Sequence, residues 1–93
     1  MQKYTKDYLN YFGIGYYEPT GEIEYMPCLI NHRGCENVAV DICHIIPKSQ
    51  GGKDEIENEI QGCRHCHNET EGKPQYFEEL KRKQQINISN NFK

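Results

Sequence analysis

The spacing of apolar and polar positions changes several times along the chain, and each change marks an element. Tyr4, Tyr8, Tyr11 and Phe12 recur at helical spacing and Gly13 follows as a stop, which predicts a short helix over residues 3–12. Residues 14–22, with Gly, Tyr and a Pro, read as a loop, after which Ile23 and Tyr25 alternate like a short strand. Val38, Val40 and Ile42 alternate with Ala39, Asp41 and Cys43, so a half-buried strand is expected to run into His44 and to end by Pro47. Gly51 and Gly52 permit a sharp reversal, Lys53 to Glu57 make a polar excursion, and Glu59 to Gly62 return as a second strand. The outcome is a hairpin with a long loop. A helix should open at the Cys63–Cys66 pair, carry His67 on its first turn and stop near Gly72. Pro74 then suits the first turn of a last helix over residues 74–86, with Tyr76, Phe77 and Leu80 as its buried stripe, and residues 87–93 read as a frayed polar tail.

With 93 residues and a hydrophobic fraction of 35%, the pattern describes one small domain over residues 1–93 whose core is modest and needs a staple. Seven Tyr and three Phe, many of them in the lead over residues 1–27, serve that core better than they serve base stacking. Five Cys can be disulfides or metal ligands, and the compartment decides between them. The N-terminus lacks the apolar run of a signal peptide and no segment can span a membrane, so a reducing cytoplasm is expected. Cys28-x6-Cys35-x27-Cys63-x2-Cys66 is then a four-thiolate set for structural zinc, with His32 as a rival ligand inside the first pair. A lone Cys-x-x-Cys also suits a redox enzyme, but the alternating strands and helices of a thioredoxin-like fold are absent.

A formal charge of −3 excludes a strongly basic coat for nucleic acid, though not a local patch. Lys48, Lys53, Arg64 and Lys73 flank the central stretch, and Lys81-Arg82-Lys83 suits a solvated helix face as well as it suits phosphate. Within that stretch, His44-x13-Asn58-x8-His67 carries the candidate chemistry. An imidazole at a strand end can take a proton from water near neutral pH, and one just beyond a Cys pair can hold a divalent ion. Asn58 has no proton to trade, so its expected task is to tie down the loop that presents His44.

Val40-Asp41-Ile42-Cys43-His44-Ile45-Ile46-Pro47-Lys48-Ser49, Gly51-Gly52, Glu57-Asn58 and Cys63-Arg64-His65-Cys66-His67-Asn68 resemble the motif of the HNH endonucleases, in the zinc-containing ββα-metal class. The resemblance covers roughly residues 28–73, and small phage-type HNH proteins are similar in their aromatic lead and short C-terminal helix. It implies a small α+β fold: a ββα-metal hairpin and helix with a structural zinc on four cysteines, flanked by an N-terminal and a C-terminal helix. It also implies metal-dependent hydrolysis of DNA phosphodiesters to 5′-phosphate and 3′-hydroxyl ends, in a bacterial or phage-encoded protein acting as monomer or homodimer. His44 matches the general base, Asn58 the loop-ordering Asn, His67 the helix-borne ligand of one catalytic ion (Mg2+, Mn2+, Ni2+ or Zn2+), and Cys28, Cys35, Cys63 and Cys66 the zinc ligands. Lys48 and Arg64 are the candidate phosphate contacts.

One position departs from the motif. Cys43 stands where the family carries an ion-binding Asp or His. It can ligate a soft ion, or stand by while Asp41 reaches the ion, or mark a dead centre. The first is favoured, because Asp41 lies about 6 to 7 Å further back along the strand. The alternative function is a catalytically weak or inactive zinc-stapled module that binds DNA or a protein, such as a phage packaging component.

Overall fold

The structure, a computed structural model, describes residues 1–35 and 37–91. It is a small α+β fold with helix α1 (Lys3–Phe12), strands β1 (Tyr16–Tyr17), β2 (Glu22–Ile23), β3 (Asp41–His44) and β4 (Glu59–Gly62), and helices α2 (Arg64–Thr70) and α3 (Phe77–Asn91). No helix among the described residues is long and apolar enough to cross a membrane.

The antiparallel pair β3–β4 sets everything else, with Asp41 opposite Gly62, Ile42 opposite Gln61, Cys43 opposite Ile60 and His44 opposite Glu59. Because side chains alternate across a strand, this register sends Ile42 and His44 to one face with Glu59 and Gln61, and Asp41 and Cys43 to the other with Ile60. Both faces are covered. Ile42 packs with Tyr8 and Leu9 of α1, Met26 and Ala39, while Cys43, Ile45 and Ile60 pack with Leu80 of α3 and the buried cysteines. All of β4 is consequently buried.

Helix α1 ends as its sequence dictates: Gly13 takes a left-handed φ of 69°, and its N–H returns to the Asn10 carbonyl at 3.3 Å. Its seat is partly polar. The Tyr8 hydroxyl donates to Gln61 Oε1 at 3.0 Å and accepts from Asn87 Nδ2 at 3.3 Å, and Gln84 Nε2 donates to the Ile56 carbonyl at 3.0 Å. These bonds join α1, the hairpin and α3 where the core is too thin to do so with apolar contact alone.

Three expectations need correction. The loop over 14–22 contains a small hairpin in which Tyr16 pairs with Ile23 and Tyr17 with Glu22, while Tyr25 lies outside any strand and is exposed. The strand before His44 begins only at Asp41. Val38 and Val40 are 49% and 52% exposed, and it is Ala39 that is buried, packed with Tyr8, Leu9 and Met26. There the backbone bonds to two neighbours in turn, Ala39 N–H to Met26 O at 2.8 Å and Val40 N–H to Gly62 O at 3.0 Å, instead of continuing one ladder.

The third correction concerns the tail. Residues 74–76 form a 3₁₀ turn and α3 then runs from Phe77 to Asn91, so residues 87–91 are helical and Asn87 is anchored on Tyr8; residues 92 and 93 of the expected tail lie outside the described residues. Removing residues 87–93 should therefore lower stability by about 1 kcal/mol or more, through the lost hydrogen bonds to Tyr8 and the shortened helix. A urea midpoint identical to that of the full chain would show that this segment is not docked.

Candidate metal centre and active site

The chain from Cys28 to Cys35 bends back on itself through Asn31 and Arg33, both with positive φ (47° and 57°), which delivers the two thiols to the start of α2. There the Sγ atoms of Cys28, Cys35, Cys63 and Cys66 lie within 4.8 Å of one another, with Cys35 3.9 Å from Cys63 and 3.1 Å from Cys66. Four sulfurs around a tetrahedral zinc, at about 2.3 Å from it, are about 3.8 Å apart, so the cluster can hold that ion. Backbone N–H groups point at the sulfurs: Asn31 to Cys28 and Cys66 to Cys63, each at 3.4 Å. Burial pushes the Cys63 thiol up, but the Cys66 N–H and the Asn37 amide outweigh it and leave the pKa at about 6. That thiol is set to bind as a thiolate. All five cysteines are free of disulfides. His32 is not among these donors; its ring packs edge-on against Tyr76 at 5.1 Å.

Beside this knot is a cavity of about 270 Å³ whose lining includes Tyr4, Cys43, His44, Lys48, His67 and Glu71. The structure thus brings His44 and His67 to one space. Asn58 lies behind it and fastens the loop: its Oδ1 accepts from Ile46 N–H at 2.9 Å, and its Nδ2 donates to the Ile46 and Lys53 carbonyls, each at 3.0 Å. A side chain at Gly52 would strike both the Ile46 carbonyl and that amide, so the loop closes here only over glycine.

Each imidazole is held by carboxylates. His44 Nε2 is 2.6 Å from Asp54 Oδ1 and 3.8 Å from Glu59 Oε2, with the Tyr4 ring tilted against it at 4.5 Å. Asp54 also meets Lys48 Nζ at 2.8 Å, and the Lys48 and His44 bonds hold its carboxyl below the usual range. It is therefore an acceptor, which assigns the proton on Nε2 to His44 as donor. Glu59 is only 2% exposed, and burial, reinforced by the Asp54 charge, pushes it up to about 7.

His67 Nδ1 is 3.2 Å from Asp41 Oδ2, and Asp41 in turn receives Arg64 through Nε at 2.9 Å and a second nitrogen at 3.2 Å. Burial alone would raise Asp41; Arg64 and His67 outweigh it and hold the carboxyl ionised. On the other side of the ring, Nε2 is 3.5 Å from Glu71 Oε1. Cys43 is 4% exposed, and burial together with the neighbouring Asp41 charge pushes its thiol up. Lys48, which lines the cavity, and Arg64, three residues before His67 on α2, are exposed but already paired with Asp54 and Asp41.

Asp54, Glu59 and Glu71 are functional neighbours that sequence reasoning misses. Glu71 is within its reach, since it lies four residues after His67 on a helix already expected there. Glu59 becomes visible only with the register that sets it across from His44, and Asp54 sits in a stretch with no period at all.

Two imidazoles over one cavity, beside a hairpin and helix joined at four thiols, make this a small domain with a candidate metal centre. Residues 28–73 match the HNH endonuclease family, so this segment of the chain is an HNH domain. No curated protein and no solved structure matched the chain. The HNH segment points to a nuclease-type function, and nucleases of this family act on DNA with divalent metals.

Structural zinc in such a domain contributes on the order of 10 kcal/mol to folding. One tightly held zinc per chain is expected, and removing it with a strong chelator should abolish the near-ultraviolet tyrosine dichroism; a chain that keeps that signal without metal would refute the structural role. Glu59 supplies a second prediction. Its pKa is higher folded than unfolded, so the native state binds the extra proton and stability falls as pH rises from about 4.5 to about 7, by up to about 3 kcal/mol. Glu59→Gln removes this term. Measured against wild type, the variant should gain stability between pH 5 and pH 8, and a pH-independent difference would show that Glu59 is not buried as a carboxylate.

Proposed function

We propose that the chain is a metal-dependent endonuclease that hydrolyses DNA phosphodiesters, with His44 as general base. The observation that carries this reading is that His44 and His67 line one cavity while a carboxylate fixes one ring nitrogen of each. In His44 the Nε2 proton is directed at Asp54, which leaves the lone pair on Nδ1 to take a proton from the attacking water. Asp54 then faces the imidazolium that forms and stabilises it. Asn58 keeps the loop, and so the ring, in place; it moves no proton.

In His67 the contact with Asp41 assigns the proton to Nδ1 and leaves Nε2 for a metal, an arrangement in which the carboxylate behind the ring raises its basicity. His67 Nε2 and Glu71 Oε1 are 3.5 Å apart, close to the spacing of two ligands on one ion, and we assign the catalytic ion to this pair. When bound, such an ion supplies positive charge against the phosphate oxygens of the transition state. Cys43 is buried with its sulfur toward the Asp41 carbonyl at 3.9 Å, whereas the Asp41 carboxylate meets the His67 ring, so Asp41, working through His67, takes precedence over Cys43 in this reading. Lys48, which lines the cavity, and Arg64, which pairs with Asp41 beside His67, are the side chains we assign to the phosphates flanking the bond that is cut.

The binding-module reading has one specific observation in its favour: a buried Cys43 stands where the HNH motif carries an ion-binding Asp or His. A plasmid-nicking assay across magnesium, manganese, nickel and zinc separates the two. His44→Ala should lower cutting by at least about 100-fold while DNA binding persists; undiminished cutting would remove His44 from the role of base. Glu71→Gln should raise the metal concentration needed by about 10-fold or more, whereas Cys43→Ser should leave it unchanged. The opposite pattern would return the ion to Cys43.

A further inference from the structure

The hairpin register gathers a second group of donors on the opposite side of His44 from the proposed reaction. His44 ends β3, Glu59 begins β4 directly across from it, and Asp54 comes from the loop between. One donor atom from each lies within 4.8 Å of the others. Glu59 is 2% exposed, and its Oε2 finds no hydrogen-bond partner among the described residues although it lies 3.8 Å from His44 Nε2. A buried carboxylate oxygen left unpaired is costly, and a cation in this space is the partner that would relieve it.

We propose that His44 Nε2, Asp54 and Glu59 form a second cation site, for an ion of the zinc class, whose occupation switches off His44 as a base. The site differs from the four-sulfur knot and from the His67–Glu71 pair. Its inhibitory consequence rests on the nuclease reading; its existence as a binding site does not. One imidazole and two carboxylates suit zinc, whereas magnesium prefers oxygen ligands and retains its water. Ligands on a tetrahedral zinc are about 3.3 Å apart, so the present 2.6 Å and 3.8 Å separations need side-chain shifts of under about 1 Å. Lys48 occupies only Asp54 Oδ2, and Oδ1 is the oxygen that faces the ring. That ammonium opposes the incoming charge, and its exposure to solvent weakens the opposition.

The switch follows from the two nitrogens of one ring. A neutral imidazole carries a single proton, here on Nε2. When Nε2 binds zinc, that proton passes through solvent to Nδ1, and the lone pair that would accept a proton from water disappears. Zinc at this position therefore inhibits without touching the nucleic acid or the ion at His67.

The test uses the full chain with its sulfur site already loaded with one equivalent of zinc. Titration with further zinc, followed by calorimetry, should reveal a second, weaker site. Its affinity should fall at least about 10-fold in Glu59→Gln and in Asp54→Asn, and persist in His67→Ala, while the first zinc remains bound in all three. A second zinc that survives Glu59→Gln, or disappears in His67→Ala, overturns the assignment.

In magnesium-dependent nicking, with each protein normalised to its own zinc-free rate, the second zinc should inhibit wild type. The inhibitory concentration should rise at least about 10-fold in Glu59→Gln. Zinc that fills the site and leaves the rate unchanged or raises it overturns the switch. A chain that never cuts DNA but shows the predicted calorimetry refutes the nuclease reading and keeps the site.

Discussion

The four-sulfur knot is the constraint from which the rest follows. Cys28 and Cys35 come from a bent loop and Cys63 and Cys66 from the start of α2, so a bound metal joins the two sides of the hairpin without relying on a large core. The buried apolar residues divide into two small clusters on opposite faces of β3–β4, and neither is large enough to be expected to order a chain of this size by itself. Once α2 is fixed against the hairpin, His67 is fixed relative to β3, and the cavity follows. Structure and chemistry thus share one anchor: Cys63 accepts the Cys66 N–H at the N-terminus of the helix that carries His67 one residue later.

The same geometry explains how the two imidazoles differ in their surroundings. His44 sits on the α1 side of the hairpin and is oriented by acidic groups of the loop and the return strand. His67 belongs to the opposite face and is oriented by Asp41, itself neutralised by a two-nitrogen contact from Arg64. One ring is held by Asp54 and Glu59, the other by Asp41 with its Arg64 partner, and this difference in surroundings is a consequence of strand alternation carried to the end of β3.

Much of this is legible in the sequence, and the exceptions have physical causes. Helix α1 and strand β4 are readable to the residue because an aromatic stripe ended by Gly13, and a short run between Asn58 and the Cys63 pair, are strong local signals. The cysteine cluster follows from spacing together with the expectation of a reducing compartment, and only the structure removes His32 as a rival. The strand before His44 misleads because the alternation of Val38, Val40 and Ile42 imitates burial, whereas the backbone changes partners there and it is Ala39 that packs with Tyr8 and Leu9. The end of α3 misleads because its polar residues look frayed unless one knows that Asn87 meets a buried tyrosine. For the site, the His and Asn positions are written in the motif. Their carboxylate partners depend on register and loop path, which no local pattern encodes, and the distance argument against Asp41 does not allow for a helix that brings His67 back toward it.

The contact of Tyr4 with His44 reaches beyond the segment that defines the family. One wall of the reaction space comes from a helix that precedes Cys28, so residues 28–73 on their own, or grafted into another host, would present His44 with a flank open to bulk water. The unit that encloses His44 is larger than the recognisable signature, and its portability depends on bringing the aromatic leader along.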